Sequence, residues 1–61
     1  MTTILVWTKD QSLLPLKYED VDFYHKTRKT LEVIQEVSYI TTTTTIMKDS
    51  IIRYSVIDQR A

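Results

Sequence analysis

Apolar and polar residues alternate with a period of two near the C-terminus. Ile52, Tyr54 and Val56 are separated by Arg53 and Ser55. Side chains at every second position of a strand share one face, so this spacing predicts a strand with one buried side.

Five consecutive threonines, residues 41–45, precede that segment. Threonine is β-branched and favoured on a pleated, half-buried surface. The run is flanked by Tyr39, Ile40 and Ile46 rather than by glycine, serine or proline, so a flexible low-complexity tract is disfavoured. The sequence therefore predicts that the threonine run is part of a strand.

The simplest connection between these two strands is a hairpin through a three-residue loop at 48–50. In that register Ile46 lies opposite Ile52 and Thr44 opposite Tyr54, which gathers the aliphatic residues on one face. A proline at position 43 is then expected to remove a donor of the strand ladder and to unfold the domain.

The N-terminal stretch "TILVW" is apolar on both faces, as is typical of a central strand or of one buried against a partner chain. We predict a strand over 3–8, a turn at 9–11 and a second strand over 12–18. Pro15 cannot donate to a ladder, so the second strand is expected at an edge or a bulge.

Residues 19–37 fit two structures. As strands, Val21 and Phe23 alternate with acidic residues, and the chain turns near "KTRKT". As a helix, the apolar stripe is broken because Arg28 falls where an apolar residue belongs. We favour strands, so the predicted fold is mainly β, a small antiparallel sheet or meander of four to five strands completed by oligomerisation. The alternative is an α+β fold with one helix around residues 19–37.

The chain has 61 residues, which predicts one small domain, 1–61. Such a domain buries only about 60% of its unfolded surface and is marginally stable. Cysteine is absent, so neither disulfides nor a Cys/His zinc site stabilise it. Association into a homo-oligomer is the remaining common solution. Glycine is also absent, which excludes glycine-dependent phosphate loops and makes turns with positive φ costly.

The N-terminus lacks a basic region followed by a long apolar run, and no segment has the ~18 apolar residues of a membrane span. We therefore expect a cytoplasmic protein without a membrane partner. Eight basic and eight acidic residues balance, which removes the broad positive field typical of nucleic-acid binders.

Catalytic chemistry has little support. His25 is the single histidine and has no neighbouring nucleophile in the sequence. The acids near it, Glu19, Asp20 and Asp22, are better explained as solvent-facing than as metal ligands. We predict no enzymatic activity, no cofactor and no metal site.

Two functions remain. The leading hypothesis is a small non-catalytic protein-binding module that self-associates, of the adaptor or inhibitor type encoded by phages and mobile elements. Its interface candidates are Trp7, Tyr39 and Tyr54, because large aromatic side chains anchor interfaces.

The alternative is a nucleic-acid-binding or transcriptional regulatory protein that uses the basic stretch 25–29. Aromatic rings stack on bases and cations contact phosphates. Its candidates are Tyr24, Lys26, Arg28 and Lys29. The nearby acids 19, 20 and 22 are expected to weaken this field. A clustered basic surface would favour the alternative, and dispersed charge would favour the protein-binding hypothesis.

Overall fold

The computed structural model describes residues 1–11 and 13–58, and its strands form two antiparallel sheets. One sheet has the order β2-β1-β6 and the other has the order β3-β4-β5. The strands are β1 (Thr2–Thr8), β2 (Leu16–Tyr18), β3 (Phe23–Lys26), β4 (Thr30–Val37), β5 (Ile40–Met47) and β6 (Ile51–Asp58). A mainly β fold is thus confirmed, with two three-stranded sheets in place of one sheet of four or five strands.

Strand β1 is the central strand of its sheet, as its apolar pattern predicts. Ile4 and Val6 are fully buried between the sheets. Strand β2 runs antiparallel to β1 at the edge of the sheet and begins at Leu16, directly after Pro15, so the predicted strand over 12–18 is too long; its first residue, 12, lies outside the described residues. The edge position tolerates the missing proline donor.

The central segment forms strands, so the helix alternative for residues 19–37 is wrong. Strand β3 pairs with β4 after a turn at 27–29, where Thr27 accepts hydrogen bonds from the Lys29 and Thr30 amides through its hydroxyl. Leu31 and Val33 lie two residues apart on the face of β4 that points into the core, and both are fully buried. The segment therefore follows the two-residue period of a strand with one buried face, not the period of a helix.

The threonine run lies in β5, which confirms the predicted strand, but the predicted hairpin with β6 is wrong. Thr44 lies opposite Val33 of β4, whereas Tyr54 lies opposite Val6 of β1. A 3₁₀ turn, Lys48–Ser50, carries the chain from one sheet to the other. β5 instead closes on β4 through a two-residue turn, which needs less chain than the predicted loop.

That two-residue turn consists of Ser38 and Tyr39, with φ of 50° and 68°. Positive φ at both central positions is the type I′ geometry that matches the twist of a hairpin. Glycine or asparagine normally occupies these positions, and left-handed backbone in a bulky residue such as Tyr39 costs on the order of 1–2 kcal/mol.

The register of β4 and β5 fixes the direction of each amide in β5. The Lys48 amide donates to the Lys29 carbonyl at 2.8 Å, and hydrogen-bonded pairs alternate with non-bonded pairs along an antiparallel ladder. Thr44, opposite Val33, therefore bonds to β4, whereas the Thr43 amide points to the free edge. Proline at position 43 removes no ladder bond, which corrects the expectation that it would unfold the domain.

The core is small compared with the apolar surface. The described residues that are buried number six: Ile4, Val6, Val21, Leu31, Val33 and Ile46. Those that are large, apolar and exposed number twelve: Met1, Leu13, Leu14, Phe23, Tyr24, Val37, Tyr39, Ile40, Met47, Ile52, Val56 and Ile57. Within residues 1–11 and 13–58, no helix has the length and apolar character needed to cross a membrane.

Candidate functional site

Three connecting segments meet at one end of the molecule. The Lys48 amide bonds to the Lys29 carbonyl, and the Lys9 amide bonds to the Ser50 carbonyl at 2.9 Å. These bonds join the 3₁₀ turn to the β3–β4 turn on one side and to the end of β1 on the other. Residues that are far apart in the sequence are therefore neighbours here.

This end, which we call the basic end, carries most of the positive charge. Of the seven basic residues that the structure describes, six lie on these segments or on the adjoining strand ends: Lys9, Lys26, Arg28, Lys29, Lys48 and Arg53. The carboxylates on the same part of the fold are Asp10, Glu32 and Asp49. The basic end therefore has an excess of positive charge in a chain whose net charge is zero.

The opposite end is acidic. Its carboxylates are Glu19, Asp20, Asp22, Glu36 and Asp58, and its one described basic side chain is Lys17. Lys17 forms an ion pair of 2.8 Å with Glu19, and this hydrogen-bonded pairing lowers the pKa of Glu19. Asp22 accepts a hydrogen bond of 2.6 Å from the Glu36 amide through Oδ2. The second contact holds Asp22 and Glu36 together at the ends of β3 and β4 that face away from the basic end.

The separation reduces the expected cancellation between the acids at 19–22 and the bases at 26–29. Asp22 directly precedes the four-residue strand β3, and Lys26 ends it, so four residue steps of extended chain separate the two side chains by roughly 13 Å. This distance exceeds the ~8 Å Debye length at physiological ionic strength. The sequence places the acids a few residues from the bases, but the extended chain moves them apart.

A cleft of about 300 Å³ opens at the basic end between β3 and β6. It is lined by Lys26, Leu31, Lys48, Ile51, Ile52, Arg53 and Tyr54. We call it the basic cleft. Its lining combines three cations with apolar side chains and includes no carboxylate. Such a lining favours an anion that also has an apolar or aromatic part.

Two of its cations are positioned by aromatic rings. Lys26 Nζ lies 5.7 Å from the centre of the Tyr54 ring, and a hydrogen bond to the Tyr54 side chain raises the pKa of Lys26 above its ordinary value. The Arg53 guanidinium lies 4.1 Å from the centre of the Trp7 ring. Both arrangements are of the cation–π type. They restrict the two cations without neutralising them.

The residues predicted for a nucleic-acid site are partly brought together. Lys26 lies in the basic cleft, and Arg28 and Lys29 lie on the turn beside it. Tyr24 lies two residues before Lys26 on β3, opposite Val33, and is partly exposed. Its role stays a prediction.

Sequence reasoning missed Lys9, Lys48 and Arg53, because each is distant in the chain from the stretch 25–29. One sequence signal could have pointed to two of them: the dipeptide Lys-Asp occurs at 9–10 and again at 48–49, and each copy directly follows the end of a strand.

The predicted interface aromatics lie in three different places. Tyr54 lines the basic cleft, Trp7 lies under Arg53, and Tyr39 is fully exposed at the β4–β5 turn. They do not form one surface, and their role as interface residues remains a prediction.

His25 has a local partner, because its Nε2 lies 2.9 Å from the Glu32 carboxylate, and both side chains are partly exposed. In the described part of the chain, no group of three or more His, Cys, Asp or Glu side chains has the arrangement of a metal site.

Comparison with known proteins gives no relative: neither a protein-family model, nor a curated protein, nor a solved structure matches this chain significantly.

Proposed function

We propose that the protein binds nucleic acid through the phosphates, using the basic end. The separation of charge carries this proposal, because six of the seven described basic residues lie on one end of a neutral chain. A clustered basic surface is the feature that favours nucleic-acid binding over protein binding. The zero net charge of the chain does not argue against this function, because salt screens the repulsion between a phosphate at the basic end and the carboxylates at the acidic end.

The basic cleft supports the same function on a smaller scale. Lys26 and Lys48 supply point charges, and the Arg53 guanidinium, which lies over the Trp7 ring, adds a third cation beside them. Ile52 and Tyr54 supply an apolar wall beside them. Single-stranded nucleic acid offers both phosphates and unstacked bases, so it fits this combination better than a duplex does.

The test is a titration of fluorescently labelled single- and double-stranded DNA and RNA at two salt concentrations. Each phosphate contact contributes about 0.7 to the salt slope of log K for a single strand. The double variant Lys26→Gln, Lys48→Gln is therefore expected to lower the slope by roughly 1.4. The matched control is Lys17→Gln, which removes one cation at the acidic end and is expected to leave binding unchanged.

Two results would reject the proposal. One is the absence of binding at about 50 mM salt, where phosphate contacts are strong. The other is an equal loss of affinity in the double variant and in Lys17→Gln, which would mean that the location of the charge is irrelevant.

A second candidate function is binding of another protein, and a specific observation favours it. Leu13 and Leu14 are adjacent in the β1–β2 connection and are 93% and 74% exposed. Paired exposed leucines are typical of a contact surface for a protein partner. Substitution of both by serine is then expected to abolish co-purification of a specific protein from nuclease-treated lysate, whereas a pure nucleic-acid binder would show no difference.

A further inference from the structure

We propose that two copies of this chain pair edge to edge through β5, antiparallel and around a two-fold axis at Thr43. The inference goes beyond nucleic-acid binding and does not depend on it. It rests on the chemistry of the four sheet edges, on the direction of the β5 amides and on the apolar side chains at the end of the hairpin.

Three of the four sheet edges carry a feature that discourages pairing. Strand β2 has three residues and follows a proline, β3 has four residues and includes Lys26, and β6 carries Arg53 and Asp58. Strand β5 has eight residues, ITTTTTIM, with no charge and no proline. Natural proteins usually protect an exposed edge with charge, proline or shortness, so an edge without these is available for pairing.

The outward amides of β5 have no partner among the described residues. The register places the amides of Thr41, Thr43 and Thr45 on the free edge, and no hydrogen bond joins any of them to another described backbone group. Pairing Thr43 with Thr43 of a second copy places Thr41 opposite Thr45 of that copy, and the reverse. All three amides then gain partners in a closed, self-complementary interface.

The same register places the exposed Ile40 side chain beside a cleft whose lining is partly apolar. Ile40 of one copy falls opposite Ile46 of the second copy. Ile46 lines a cleft of about 400 Å³ between β2 and β5, together with Leu16 and Tyr18. Ile40 is 67% exposed in the single chain. Pairing brings this side chain to a cleft with an apolar wall.

The chain exposes more surface than a folded monomer of its mass. Its accessible surface is 4823 Å², against roughly 4,100 Å² expected for 7.2 kDa.

Pairing through β5 leaves the basic cleft open. That cleft lies at β3 and β6, and β3 is separated from β5 by β4. The pairing and the nucleic-acid binding can therefore be tested separately, because each depends on different residues.

The first experiment is sedimentation over a concentration series, with Thr43→Pro compared with Thr43→Ala. Proline removes the central amide of the edge without removing a bond to β4, and alanine keeps that amide. Wild type and Thr43→Ala are expected to form dimers, and Thr43→Pro is expected to remain a monomer with unchanged strand content by circular dichroism. A monomeric wild type at several hundred micromolar, or a Thr43→Pro dimer as tight as wild type, would overturn the proposal.

The second experiment uses the absence of cysteine and tests the register even if the proline variant does not fold. Thr43→Cys should form a disulfide-linked dimer, because directly opposed Cα atoms lie ~5.5 Å apart, within the range of a disulfide. Thr41→Cys should not, because its two copies would lie roughly 13 Å apart along the strands. Equal cross-linking of both variants, or of neither, would overturn the proposed pairing.

Discussion

The backbone of Lys48 is bonded to the backbone of Lys29, with the amide of the first donating to the carbonyl of the second at 2.8 Å. This bond fixes which amides of β5 bond to β4, and it also joins the 3₁₀ turn to the basic β3–β4 turn. The free edge and the basic end are thus two consequences of one strand register.

The first prediction concerns the two amide directions in β5. Thr44→Pro should unfold the domain or destabilise it by at least ~2–3 kcal/mol, because the Thr44 amide bonds to β4 and the ladder loses that donor. Thr43→Pro should retain a cooperative urea transition, since its amide points outward. Equal destabilisation of both variants would show that the register is different.

Local patterns in the sequence were sufficient to predict most strands. The threonine run, the central position of "TILVW" and the edge position of the strand after Pro15 all follow from residue type and spacing. Each of these predictions concerns the conformation or burial of a single segment, and the residues of that segment are sufficient to determine it.

Strand pairing was not predictable in the same way. The alternation of β6 fits Ile4 and Val6 of β1 as well as it fits β5, so the pattern does not choose between them. The two-residue turn decides the pairing, but Ser38 and Tyr39 lack the glycine or asparagine that normally marks it. The basic end was hidden for a related reason, because turns distant in the sequence supply its cations.

The second prediction concerns Trp7, the single tryptophan. Arg53→Gln removes the guanidinium from the indole face and should shift the fluorescence emission to longer wavelength, because water gains access to the ring. The expected loss in unfolding free energy is about 0.5–1 kcal/mol. Arg28→Gln removes the same charge from the exposed β3–β4 turn and should leave the emission unchanged; a shift in both would indicate a global change.

The third prediction concerns alkaline pH. Desolvation by burial raises the pKa of Tyr18. A group whose pKa is raised on folding contributes stability below its unfolded pKa, and this contribution is lost as the pH rises through its folded pKa. Urea midpoints measured from pH 8 to 11 should therefore fall more steeply for wild type than for Tyr18→Phe. Identical slopes would mean that Tyr18 ionises as freely in the folded chain as in the unfolded one.

The last prediction concerns the left-handed backbone at Tyr39. Its side chain is fully exposed, so replacement by glycine removes strain without removing packing within the chain. Relief of ~1–2 kcal/mol of strain, less the entropy cost of glycine, should leave Tyr39→Gly about 0.5–1 kcal/mol more stable at low micromolar concentration. Thr41→Gly is the matched control, because it introduces glycine into the adjoining strand without relieving strain, and it should be destabilising by about 0.5–1 kcal/mol.

A strained tyrosine that glycine would improve suggests selection for something other than stability of the single chain. In the proposed dimer Tyr39 lies opposite Met47 of the second copy, so Tyr39→Gly should weaken association while stabilising the monomer. The two effects have opposite signs and can be measured on one variant, by urea unfolding at low concentration and by sedimentation at high concentration. If Tyr39→Gly is more stable and still associates as tightly as wild type, the Tyr39 side chain does not contribute to the dimer interface.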